Sequence, residues 1–253
     1  MASDPASYAL LFAAGLVAGT LNVVAGGGSF LTLPLLILMG LPPTMANGTN
    51  RVGILIQNVG AVWSFHGHGL VERGWIRLAA LPAAAGSIAG TLVALWIPGE
   101  AFRRILAVLM IAVTLYTLWD PVKRPRTGAT GGAGRSPGSW ALAAGFALVG
   151  IYGGFVQAGV GFFLLTVASL AGCDLVRGNA LKVLCVLVFT PVSLGLFAWM
   201  GQVAWIPGLV LGGGTLLGGL MGVRLTVLRG HGWIRGVVTI VVILLALKLW
   251  LAP

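Results

Sequence analysis

The sequence predicts an all-α polytopic membrane protein made of two inverted-topology repeats. Each repeat has about five helical pieces, giving 8–10 membrane segments in all, with broken or re-entrant helices at glycine-rich motifs. Three observations lead there. Hydrophobic residues make up 58% of the 253-residue chain and charged ones 8%, far below the ~25% charged of a soluble domain. No formal charge occurs between Asp4 and Arg51, between Arg135 and Asp174, or between Lys182 and Arg224. The two halves also repeat a series of features in the same order.

The first repeat covers residues 1–120 and holds apolar pieces at about 8–25, 29–40, 50–65, 76–97 and 102–119. A basic Gly/Pro/Ser-rich linker follows at 121–138. The second repeat, 139–253, holds pieces at about 140–158, 162–172, 182–199, 205–223 and 233–251. Ala25, Gly26 and Gly28 match Ala158, Gly159 and Gly161. Gly40 matches Gly172 after a one-residue gap, Asn47 matches Asn179, and Asn50 then stands opposite Lys182. The second piece of each half is too short to cross a ~30 Å hydrocarbon core. Pieces one and two of each half therefore form either a V or two tilted crossings.

Charge placement sets the expected sidedness. With the central linker inside, 11 of the 15 basic residues face the cytoplasm: Arg73, Arg77, Lys123, Arg124, Arg126, Arg135, Arg177, Lys182, Arg224, Arg229 and Arg235. Arg51, Arg103, Arg104 and Lys248 fall outside, as do both termini. The net charge of +10 thus reads as positive-inside topology, not nucleic-acid binding. The start, MASDPASYALL, lacks the basic region of a cleavable signal peptide. An inner, plasma-membrane location is expected.

The stretch AGGGSF, residues 25–30, places Gly26, Gly27 and Gly28 where a membrane helix should run. Such a break is tolerated when it lines a cavity or is satisfied by protein. Glycine there lets backbone approach a ligand, and Ser29 opens a new helix whose N–H groups and dipole favour an anion. Gly159 and Gly161 repeat the arrangement in the second half. Polar residues embedded in the apolar pieces are further candidates: Asn22, Ser29, Thr32, Gln57, Asn58, Gln157 and Thr166. Asn47, Asn50 and Arg51 open the third piece, and Asn179 and Lys182 its counterpart. Helix capping and snorkelling compete with a binding role for these residues.

Other features carry less. His66 and His68 form a plain loop and not a metal site, and Cys173 and Cys185 fit neither a disulfide framework nor a metal cluster. The glycine spacings 15/19, 86/90 and 214/218/222 fit internal helix packing better than a dimer face, although a homodimer is compatible with them. The five acids, Asp4, Glu72, Glu100, Asp120 and Asp174, sit at ends or in loops, which disfavours a carboxylate proton relay or a cation carrier. No Walker motif and no Ser/His/Asp or paired-carboxylate arrangement occurs. The residues thus point to a transporter for a small anion, with no cofactor and no enzyme activity; a passive anion channel, an uptake permease and a transition-metal permease are the alternatives. Export of an anion from a negative interior gains about 2.3 kcal/mol per charge per 100 mV and requires no coupling residue.

The first-half stretch GTLNVVAGGGSFLTLPLLILMGLPPTMANGTN resembles the TauE/SafE family of sulfite and organosulfonate transporters, and GGFVQAGVGFFLLTVASLAG resembles its second signature. The resemblance covers nearly the whole chain. It implies an inner-membrane carrier for small sulfur-containing or carboxylated organic anions such as sulfite, sulfoacetate and related sulfonates. The motif positions carried over are Gly26, Gly27, Gly28, Pro34, Asn47 and Asn50. Alternating access around the two glycine breaks is the mechanism this combination predicts.

Overall fold

The computed structural model describes residues 4–71, 74–119 and 138–229. Nearly all of the basic linker, the final apolar piece at 233–251, Glu72, Arg73, Asp120, Arg235 and Lys248 lie outside the described residues. The described chain is helical throughout, with no strand among the described residues: α1 (Pro5–Ala25), α2 (Ser29–Leu38), α3 (Pro43–Gly67), α4 (Leu81–Trp96), α5 (Gly99–Trp119), α6 (Ser139–Phe155), α7 (Val160–Leu170), α8 (Leu175–Trp199) and α9 (Trp205–Arg229).

Local chemistry sets these boundaries. Pro5 and Pro43 sit in the first turns of α1 and α3, where the missing N–H has no helical partner anyway. Asp174 caps α8, its Oδ1 accepting from the N–H groups of Val176 and Arg177 at 2.9 Å each. A π-helical turn, Ile76–Ala80, leads into α4 just before Pro82, whose ring removes one rung of the ladder. The helices α3 and α8 start earlier than the apolar pieces 50–65 and 182–199 suggested. Asn47, Thr49, Asn50 and Arg51 near the start of α3, and Asn179 and Lys182 near the start of α8, are buried, while Arg177 is exposed.

Among the described residues, four stretches are long and apolar enough to cross a membrane: Pro5–Val24, Ile76–Trp96, Leu175–Trp199 and Trp205–Val227. Twenty-five-residue helices such as α8 reach about 38 Å, more than the ~30 Å hydrocarbon core. The 10 residues of α2 and 11 of α7 reach only about 15–16 Å. Trp63, Trp96, Trp140, Trp199 and Trp205 are exposed near helix ends, where amphipathic rings favour the membrane–water interface.

Packing crosses the midpoint of the chain. The first helix, α1, lies on α9, and α6 lies on α4; α3 packs on both α9 and α8, and α8 also on α4. The two long crossings are glycine-built on both sides. A Cβ at Gly15 or Gly19 would fall within 3.0 Å of the Leu211 or Thr215 backbone, and one at Gly214 or Gly218 within 3.0 Å of Phe12 or Leu16. Gly86 and Gly90 meet the α6 backbone at Ala147 and Ile151, while Gly150 and Gly154 meet α4 at Ala83 and Ser87. The glycine spacings therefore serve internal packing. Close approach lets main-chain carbonyls bond across helices, as where Thr20 Oγ1 donates to Gly218 O at 3.0 Å and Thr215 Oγ1 to Gly53 O at 2.8 Å.

Candidate functional site

Two glycine turns meet at the centre of the molecule. The first closes α1: Gly26 has φ +86°, and its N–H bonds to the carbonyls of Asn22 at 2.8 Å and Leu21 at 3.2 Å. A left-handed residue in this place is the usual way a helix end satisfies its last carbonyls, and glycine takes it without a Cβ clash. Gly27 and Gly28 are buried, and Ser29 opens α2. The second turn has Gly159 at φ +74° immediately before α7. The turns touch backbone to backbone. A Cβ on Gly161 would lie 2.5 Å from Gly26 Cα, and one on Gly26 would lie 2.8 Å from the Gly161 carbonyl carbon. Gly159 backs onto the ring of Phe30.

Beside this contact lies a cavity of about 10 Å³, enough for roughly one water molecule. Its polar lining is Asn22, Ser29, Asn58, Gln157, Gly161 and Lys182; Ile54, Val160, Val183 and Val186 complete the wall. Six of the residues singled out from sequence therefore converge on one space: Asn22, Ser29, Asn58, Gln157, Gly161 and Lys182.

The remaining candidates form the shell around that space. Asn22 Nδ2 donates to Gln57 Oε1 at 3.1 Å, Thr32 Oγ1 to Asn50 Oδ1 at 2.6 Å, and Gln157 Nε2 to Thr190 Oγ1 at 2.6 Å. Thr166 stands apart, its hydroxyl 2.7 Å from that of Tyr116. Four buried atoms in the shell have no hydrogen-bond partner: Asn47 Oδ1, Asn50 Nδ2, Arg51 Nε and Gln57 Nε2. Three of these are donors.

The two buried cations have taken an unexpected role. Neither Arg51 nor Lys182 snorkels to an interface; they are 0% and 3% exposed. Arg51, on α3, donates from Nη1 to Gly153 O at 3.1 Å and from Nη2 to Gly154 O at 2.5 Å, with Gln157 Oε1 at 3.5 Å from Nη1. Asn47 Nδ2 donates to Phe155 O at 2.8 Å, and Thr91 Oγ1 to Gly154 O at 3.1 Å. With the Val156 N–H on Tyr152 O, all four terminal carbonyls of α6 are satisfied. Lys182, on α8, mirrors this at α1. Its Nζ donates to Asn22 O at 2.9 Å, Val23 O at 2.8 Å and Asn179 Oδ1 at 2.6 Å. Each cation thus sits at the negative, carbonyl end of a helix from the opposite half of the chain, where the helix dipole favours positive charge. Asn179 also anchors itself by Nδ2 to Leu175 O at 2.9 Å. The pairing ties α3 to α6 and α8 to α1, a relation in space that spacing along the chain did not reveal.

Among the described residues no group of three or more His, Cys, Asp or Glu could hold a metal ion.

Fold and centre together define a class: an all-helical protein with membrane-length apolar helices, whose buried polar core holds two cations where two glycine turns touch. The family model described as Sulfite exporter TauE/SafE matches residues 11–249. The chain belongs to this family. It is 32% identical over 247 residues to the probable membrane transporter protein ORF9 of a Sinorhizobium species, covering 97% of this chain and 93% of that one. It is 31% identical to the probable membrane transporter protein YfcA of Escherichia coli K12, over 97% of this chain and 90% of the relative. A probable membrane transporter protein of Haemophilus influenzae is 29% identical over 95% of this chain and 93% of its own length. No solved structure matches the chain.

Proposed function

We propose that this transporter is a secondary carrier that exports a small sulfur oxyanion, such as sulfite, sulfoacetate or another sulfonate, across the inner membrane by alternating access. The observation that carries the reading is the polar cavity beside the two touching glycine turns, with Lys182 on its wall. Its walls offer amide, hydroxyl and ammonium groups and no carboxylate. The acids among the described residues, Asp4, Glu100 and Asp174, lie at helix starts. A buried site whose charge is only positive is complemented by an anion. The family description supplies the sulfur chemistry.

The alternating step is a rocking of two inverted repeats, 1–120 and 139–253, about this centre. Three pairs of left-handed glycines support the repeat: Gly26 and Gly159, Gly40 and Gly172, Gly69 and Gly201. So does the crossed packing of first helices on fourth helices. The orientation we propose keeps the basic linker cytoplasmic and both termini outside. The substrate residues in this reading are those on the cavity wall, with Gly26, Gly27, Gly28, Thr32, Asn47, Asn50, Arg51, Gln57, Gly159 and Asn179 shaping and fastening it.

The test is flux of sulfite and sulfoacetate in liposomes holding the purified protein, under an imposed potential with and without a pH gradient. Saturable flux that follows the potential alone supports an anion uniporter. Saturable flux that requires the pH gradient keeps the carrier and makes it proton-coupled. Absence of flux for both anions removes the sulfur-oxyanion assignment.

A further inference from the structure

Arg51 and Lys182 have the same kind of partner, yet only Lys182 borders the cavity. Their fastenings also differ in kind. The guanidinium of Arg51 is fixed in two ways, by its fork on the Gly153 and Gly154 carbonyls and by the Phe197 ring, 4.8 Å from Cζ to the ring centroid. The ammonium of Lys182 is a compact charge on a flexible four-carbon stem, and each of its three acceptors is neutral. A hydrogen bond between two ionised groups is stronger than one from an ammonium to a carbonyl. An oxyanion is larger than the single water this cavity holds, so it enters only as the cavity widens, and there it offers Nζ a better acceptor than the ones it holds.

The exchange leaves little unpaired. Asn22 O keeps the Gly26 N–H, and Asn179, one turn earlier on the same helix, travels with Lys182. Both carbonyls lose the ammonium, and Val23 O, the one without the Gly26 N–H, lies in the last turn of α1.

We propose that Lys182 is an exchangeable fastener: an oxyanion in the cavity draws Nζ away from the carbonyls of Asn22 and Val23, so that binding the anion unfastens the end of α1 from α8. Arg51 is a positioning residue that holds α6 to α3 in both states. This rests on the proposed transport of a small oxyanion and names what its binding releases. Anion recognition and the first movement of the carrier become one event, without any carboxylate or bound metal.

The experiment uses the intact purified protein in detergent. Thermal unfolding is titrated with sulfoacetate, sulfite, acetate and chloride, and amide hydrogen exchange is followed across residues 20–27 with and without each anion. In the wild type an oxyanion is expected to raise the unfolding midpoint saturably while exchange across 20–27 becomes faster. Lys182→Gln is expected to lose at least tenfold in apparent affinity and to exchange fast without anion. Arg51→Lys is expected to lower the midpoint without anion, because the fork on the two α6 carbonyls is lost, while exchange across 20–27 without anion stays as slow as in the wild type. Wild-type affinity in Lys182→Gln, or exchange across 20–27 that slows on binding, overturns the proposal. The exchange arm needs only the wild type, so it decides the matter even where a variant fails to fold. A response to acetate alone, lost in Lys182→Gln, upholds the fastener and removes the sulfur assignment; no response to any of the four anions overturns both.

Discussion

Replacing Gly161 with alanine adds one methyl group where the two glycine turns meet. Its carbon would lie 2.5 Å from Gly26 Cα, 3.0 Å from Gly26 O and 3.1 Å from Lys182 Cδ. Carbon atoms attract best at about 3.5–4.0 Å, so the facing turn must retreat by about 1 Å. Overpacking of this kind costs about 1–3 kcal/mol. The better helix propensity of alanine returns about 0.5–1 kcal/mol, leaving up to about 2.5 kcal/mol of net destabilisation. For a chain of this size that is a fall of up to about 10 °C in unfolding midpoint. Gly195→Ala is the matched control. Gly195 lies in α8 with nothing within 4 Å of its would-be Cβ, so the same change should raise stability by about 0.5–1 kcal/mol. Thermal unfolding in detergent and sulfoacetate flux in liposomes read both effects. A Gly161→Ala protein as stable as Gly195→Ala, with wild-type flux, would refute the claim that the turns touch and that their contact matters for transport.

Three further outcomes follow from the packing and the caps. Gly154→Ala drives a methyl onto the Ser87 carbonyl and should cost about 1–3 kcal/mol in thermal unfolding, because α4 and α6 can no longer close. Asp174→Ala removes the side chain that accepts from the Val176 and Arg177 N–H groups, and should cost about 0.5–2 kcal/mol while flux per folded molecule is unchanged. Thr91→Val keeps the shape but loses the hydroxyl that bridges Gly154 O and Ser193 Oγ at 3.1 and 2.8 Å, a loss of about 1 kcal/mol by the same assay.

The parts legible in the sequence were those governed by local chemistry. The apolar runs marked the helices, and left-handed glycines, Gly26 and Gly159, stand at the two clusters where three glycines or a Gly-Val-Gly interrupt those runs. The short pieces 29–40 and 162–172 correspond to Ser29–Leu38 and Val160–Leu170. The glycine spacings in α1, α4 and α9 announced close packing, and the helices they chose as partners came from the opposite half. What stayed hidden depends on partners far along the chain. The polar segment ANGTNR looked like the approach to a helix and is in fact inside one, because Asn47 and Arg51 find the α6 carbonyls more than 100 residues away. Arg51 and Lys182 were visible as paired cations, but no spacing along the chain could tell a cation awaiting an anion from one already holding a helix end.

The crossed packing of α1 on α9 also governs how the protein is made. Gly15 rests on Leu211, 196 residues further on, and Gly19 on Thr215. At a synthesis rate of about 5–20 residues per second, α1 waits roughly 10–40 s for the surface that covers its glycine face. During that interval only lipid or the insertion machinery can shield it. Neither half of the chain can mature in isolation, since each lacks the helix that its own first helix packs against. Two halves translated separately in one cell should therefore be degraded singly and survive only when they meet.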